Sequence, residues 1–100
     1  MLGNIQADWL LDEDEVLLTG RVEDSDWRSV GITISQGSFP EVGSALAPVN
    51  VTVYPDHFTF RITVPRQLLP YEPGLCRAEL YWIADDGRLR IDTARFTIPV

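Results

Sequence analysis

A chain of 100 residues, 45% of them hydrophobic, is long enough to bury one core without disulfides or metal. Its single cysteine, Cys76, excludes an internal cystine framework and reads as a core thiol. A net charge of −7 with no lysine argues against nucleic-acid or anionic-membrane binding, which needs a basic surface to displace counterions from phosphates.

The charge is unevenly placed. Residues 1–26 carry eight acidic groups (Asp8, Asp12, Glu13, Asp14, Glu15, Glu23, Asp24, Asp26) against Arg21, whereas the rest of the chain balances seven acids with seven arginines. The whole net charge therefore sits in the first quarter, which permits a basic partner surface. The opening stretch MLGNIQADWLLDEDEV has neither a basic leader region nor an apolar run of signal-peptide length, and no stretch approaches membrane-spanning length. Cytoplasmic synthesis and folding are expected.

In chain order, Ile5–Leu11 alternates Ile5, Ala7, Trp9 and Leu11; Glu15–Val22 alternates Val16, Leu18, Gly20 and Val22; Ser29–Ser35 alternates Val30, Ile32 and Ile34. A period of two predicts strands with one buried face. Gln36–Pro48, thirteen residues with two Gly and two Pro, is expected to cross between sheets, the alternative being an ordered loop with a small edge strand. VNVTVYPDHFTFRITV predicts a hairpin about Pro55-Asp56, with Val53 opposite Phe58, Val51 opposite Phe60 and Val49 opposite Ile62, all inward. Pro65–Gly74 holds three prolines and is expected to form a short helical turn in which Leu68 and Leu69 plug the end of the core. Tyr71 is placed to hydrogen-bond back across that corner, although its spacing to the next strand is unusual for such a tyrosine.

The last segment, RAELYWIADDGRLRIDTARFTIPV, predicts a hairpin about Asp86-Gly87, a dipeptide that tolerates positive φ. Setting Asp85 opposite Arg88 puts Trp82 opposite Ile91 and Ala84 opposite Leu89, all on the core side. Ala94, Phe96 and Ile98 have the other parity, so a β-bulge at Asp92-Thr93 is expected to restore one face, with Leu80 opposite Ala94 and Ala78 opposite Phe96. Seven short alternating strands in one domain predict an all-β, seven-stranded antiparallel immunoglobulin-like β-sandwich over residues 1–100.

Chemistry-bearing motifs are sparse. His57 is the sole histidine and reads as a solvated turn residue without companions at metal-ligand spacing; Cys76 has no Cys/His signature around it. No G-x-S-x-G, phosphate-binding glycine loop or H-E-x-x-H occurs, so no enzyme activity and no cofactor are expected. Asp24, Asp26, Asp56, Asp85 and Asp86 are expected at one end of the sandwich, with Asp12–Glu15 at the other. They read mainly as solvated turn residues; the alternative is a Ca²⁺ site, whose six to eight oxygen ligands come from such loops.

LTGRVEDSD (Leu18–Asp26) and AELYWIADDG with ARFTIPV (Ala78–Gly87 and Ala94–Val100) resemble the immunoglobulin-like β-sandwich domains of tailed-phage and prophage virion proteins, such as the amino-terminal domains of baseplate proteins. In that family the first motif is an early strand entering an acidic turn, and the last is a closing D-G hairpin ending in F-x-I-x-V. The resemblance covers about a third of the chain and implies a non-catalytic virion tail or baseplate part, located in a virion or the cytoplasm. The expected function is thus a structural interaction module that self-associates or binds a protein partner. Its candidate contacts are apolar residues of outward parity, namely Leu10 and Leu17 beside the acidic loop, and Tyr81 and Ile83 outside the last hairpin. The alternative is a ligand- or carbohydrate-binding module stacking sugars on Trp9, Trp27, Tyr54 or Tyr81, with Trp27 favoured because it falls in a predicted loop.

Overall fold

The computed structural model describes residues 3–23, 30–38, 42–45 and 51–100. Its strands are β1 (Gly3–Leu10), β2 (Glu15–Glu23), β3 (Gly31–Ser35), β4 (Val42–Ala45), β5 (Val51–Val53), β6 (His57–Pro65), β7 (Gly74–Ile83) and β8 (Leu89–Ile98). They form two four-stranded sheets, ordered β1-β2-β6-β5 and β4-β3-β7-β8, with every neighbouring pair antiparallel. This is the strand order of an immunoglobulin-like sandwich, with β1, β2, β6 and β5 as A, B, E and D, and β3, β7 and β8 as C, F and G. The seven expected strands are all present. The addition is β4: the connection expected as a bare crossover carries a short edge strand on β3.

The core follows the alternation. Val16, Leu18 and Val22 of β2 and Phe58 and Phe60 of β6 face Ile32 and Ile34 of β3, Cys76, Ala78, Leu80 and Trp82 of β7, and Phe96 and Ile98 of β8, all buried. Each large side chain taken fully from water, such as Leu18, Leu80 or Phe58, contributes about 1.5–3 kcal/mol. The β5–β6 register matches expectation, with Val51 opposite Phe60 and Val53 opposite Phe58. Val51 packs on the core, but Val53, at the outer end of an edge strand, is exposed. The expected pairing of Val49 lies outside the described residues.

The β7–β8 hairpin differs from expectation in register. Its ladder is unbroken from Ile83 opposite Leu89 to Gly74 opposite Ile98, with Leu80 opposite Asp92 and Ala78 opposite Ala94, so there is no bulge at Asp92-Thr93. The extra residue is taken up in the turn. Ala84 N–H donates to Arg88 O (3.0 Å) and Gly87 N–H to Ala84 O (2.9 Å), closing a three-residue loop, Asp85-Asp86-Gly87, with Gly87 at φ 79°. Such a loop needs a left-handed third residue, which glycine adopts without steric cost. As a result Trp82 lies opposite Arg90, not Ile91, and Leu89 and Ile91 point outward instead of into the core.

The place opposite Leu80, expected for Ala94, belongs to Asp92. Its Oδ2 accepts the Ile5 N–H of β1 (2.9 Å) and its Oδ1 the Thr93 N–H of β8 (3.0 Å). Four residues on, Trp9 lies parallel to Phe96, with ring centroids 6.3 Å apart. β1 and β8 thus run side by side in the same direction, and their edges join the two sheets at one flank.

The other end of the sandwich is closed by the β6–β7 connection. Arg66–Leu68 form the expected turn, of 3-10 type, but only Leu69 plugs the core at 3% exposure; Leu68 points out at 60%. Tyr71 is buried and its hydroxyl donates to Ile34 O of β3 (2.6 Å). Arg66 donates to the carbonyls of Leu69 (3.1 Å) and Tyr71 (2.8 Å). The Gln36 amide pairs with the Glu72 backbone in both directions, at 2.7 and 3.1 Å, adding a side-chain rung beyond the end of β3.

Candidate functional site

On a strand whose inward residues are even-numbered, the odd ones form the outer face. For β7 and β8 that face reads in cross-strand rows: Ile83 with Leu89, Tyr81 with Ile91, Glu79 with Thr93, Arg77 with Arg95, and Leu75 with Thr97. The two rows next to the turn are uncharged and, but for the Tyr81 hydroxyl, apolar, and Ile83, Leu89 and Ile91 are 43%, 55% and 58% exposed. Tyr81 lies flat over Gly31 of β3, where a Cβ would stand 2.5 Å from its ring. That contact needs the absence of a side chain at position 31, and it fixes the tyrosine as one wall of the patch.

The surroundings are polar. Below the patch, Arg77 pairs with Glu79 (2.9 Å), while Arg95 makes no ion pair among the described residues. Above it, Asp86 accepts the Arg88 N–H (3.0 Å) and pairs with Arg90 (2.8 Å), which together hold its carboxyl below the usual range. The patch is therefore bounded at one end by the Glu79–Thr93 row, with Arg77 and Arg95 beyond it, and at the other by a turn that carries Asp85, Asp86 and Arg88.

Tyr81 and Ile83 are where the parity argument put them. Leu89 and Ile91 complete the patch and were missed, because they were assigned inward; the signal was the D-D-G loop, which accommodates three residues as readily as two. Leu10 and Leu17 also face outward, on the other sheet, but are half-buried and interleaved with Asp8 and Glu15. Trp9 is no stacking platform, since it packs against Phe96 and its indole nitrogen is buried. Tyr54 is exposed and stacks on His57, with centroids 4.4 Å apart. Trp27 lies outside the described residues.

Asp56 adjoins the end of β2, where Glu23 pairs with His57, and Asp85-Asp86 adjoin the start of β3, where Gly31 pairs with Tyr81. Asp24 and Asp26 lie outside the described residues. Asp56 is hydrogen-bonded to His57 (2.6 Å), which holds its carboxyl below the usual value. His57 itself opens β6 and is mostly covered, not a freely solvated turn residue. Among the described residues no three His, Cys, Asp or Glu side chains come close enough to hold a metal ion. Cys76 is a buried free thiol, and burial pushes its pKa up.

Among the described residues, two hollows lie at the far end. One, of about 240 Å³, is lined by Glu13, Asp14, Pro65, Arg66 and Gln67; the other, of about 280 Å³, by Ser35, Gln36, Gly37, Leu75 and Arg77. Neither sets a nucleophile beside a base. Among the described residues no helix is long and apolar enough to cross a membrane. Comparison of the chain with protein-family models, curated proteins and solved structures finds no significant match.

Proposed function

We propose that this domain is a non-catalytic interaction module that docks through the outer face of β7 and β8, in the manner of a structural part of a phage or prophage tail or baseplate. The observation that carries the reading is the exposed apolar block Tyr81, Ile83, Leu89 and Ile91 on a hydrogen-bonded strand pair. Isolated exposed leucines are ordinary, but two consecutive apolar rows on one sheet face mark a contact surface. The strand pair keeps it preorganised, so little entropy is lost on docking. The virion context draws on the Leu18–Asp26, Ala78–Gly87 and Ala94–Val100 motifs together with the sandwich fold.

The test is photo-crosslinking in the cells or particles that express the chain. A benzophenone side chain at position 91 is expected to give discrete adducts, and one at position 59, on the opposite sheet, none. An absence of adducts at 91, or equal adducts from both positions, would refute the docking face.

A further inference from the structure

We propose that Asp86-Gly87, at the tip of the β7–β8 hairpin, is a site of spontaneous aspartate isomerisation that the hydrogen bonds of its own turn, and the Arg90 guanidinium above all, hold in check. The chemistry belongs to the dipeptide. The Gly87 nitrogen attacks Cγ of the neutral Asp86 carboxyl; a C–N bond forms, and the carboxyl hydroxyl leaves with the amide proton as water. Water then opens the resulting succinimide at either carbonyl. Opening at Cγ restores aspartate, whereas opening at the main-chain carbonyl leaves isoaspartate, whose backbone runs through Cβ and is one carbon longer. Asp86 is the one aspartate in the chain followed by glycine, the residue that hinders the attacking nitrogen least, and both residues are exposed.

The turn opposes each requirement of that reaction. Attack needs a neutral carboxyl, but Oδ1 accepts the Arg88 N–H at 3.0 Å and Oδ2 accepts from Arg90 Nη2 at 2.8 Å, two bonds that favour the charged form. Attack also needs a carboxyl free to swing onto the nitrogen that follows it, and the same bonds tie both oxygens to residues beyond Gly87. The nitrogen itself is engaged, since Gly87 N–H donates to Ala84 O at 2.9 Å. Of these restraints only Arg90 acts through a side chain, so it alone can be removed without rewriting the turn. Isoaspartate would lengthen by one carbon a loop that the bond from Ala84 N–H to Arg88 O closes, so the product of the reaction is a loosened hairpin end.

Peptide mapping after prolonged incubation at mildly acidic pH is the test. Trypsin releases residues 78–88 as one peptide, in which isoaspartate is resolved by chromatography and by methyl transfer from an isoaspartyl methyltransferase. The folded wild-type chain is expected to accumulate it several-fold more slowly than a synthetic 78–90 peptide, which has no folded turn. Arg90→Ala and Arg90→Gln, each shown by an unchanged circular dichroism spectrum to be folded, should accumulate it several-fold faster than wild type. Arg90→Lys keeps a cation and should stay slow, and Asp86→Glu should abolish the product. Wild type ageing as fast as the peptide, or folded Arg90→Ala and Arg90→Gln ageing no faster than wild type, overturns the proposal. Product that persists in Asp86→Glu also overturns it, by placing the reaction at Asp85.

Discussion

The Ile5 backbone N–H donates to the Asp92 carboxylate at 2.9 Å, joining two strands of different sheets across 87 residues of sequence. Both β1 and β8 are edge strands, and exposed edges invite pairing with other chains. Asp92 occupies one donor on each, Ile5 and Thr93. Asp92→Ala is expected to cost about 1–2 kcal/mol by leaving the part-buried donor unmatched. Urea denaturation will measure it, with Asp92→Asn intermediate because it keeps one accepting oxygen. An unchanged midpoint in Asp92→Ala would show that the flank is held by something else.

Gly31→Ala is expected to push the Tyr81 ring off β3, since the added methyl would lie 2.5 Å from ring atoms. The tyrosine is half-exposed and can swing away, so stability should fall by only about 1 kcal/mol. The apolar patch loses a wall, however. Greater quenching of Tyr81 and weaker docking at nearly constant melting temperature are the expected readouts.

Tyr71→Phe keeps the ring in the core and removes the hydroxyl that satisfies Ile34 O. A buried carbonyl left without its donor costs about 1–3 kcal/mol. Equilibrium unfolding should show a lower midpoint and an unchanged denaturant slope, because the surface exposed on unfolding is the same.

Asp56 and Asp86 are both held below the ordinary value of 3.8, the first chiefly by its hydrogen bond to His57 and the second chiefly by the Arg88 N–H. A carboxylate whose pKa is lowered by folding stabilises the folded chain fully above its unfolded value, and that contribution disappears as pH falls through the folded one. Stability should thus decline as pH drops below 3.8, and Asp56→Asn and Asp86→Asn should each flatten the decline. Both groups are solvent-exposed, so the effect is small and best read as a difference in slope between variant and wild type.

Burial raises the Cys76 pKa and screens its sulfur. Thiolate, not thiol, attacks a disulfide reagent. At pH 8 the folded chain should react with Ellman's reagent far more slowly than the chain in denaturant. Equal rates would mean that the lower end of the sandwich opens readily.

Where the sequence was readable, it was through alternation. The β2, β3 and β6 patterns lead directly to buried Val16, Leu18, Ile32, Ile34, Phe58 and Phe60, because a strand offers only two faces. The failure at β8 has a physical cause: one surplus residue fits equally into a three-residue turn or a strand bulge, and hydrophobicity favoured the bulge by drawing Leu89 and Ile91 inward. What decides against it is a donor on β1, far away in sequence, that needs the Asp92 carboxylate. The Tyr71 contact with Ile34 and the Gln36 contact with Glu72 are of the same kind, visible only once the chain is folded. Leu10 and Leu17 show the limit of parity reasoning at the surface: outward direction was legible, but the degree of cover was not.

Because β1 and β8 run the same way, Gly3 and Ile98 leave the sandwich at opposite poles. Tension applied between them would slide β1 along β2 and β8 along β7, loading the rungs of each ladder together instead of peeling them one by one. Shear of this kind opposes stretching more strongly than peeling does, a useful property for any link in a chain under mechanical load.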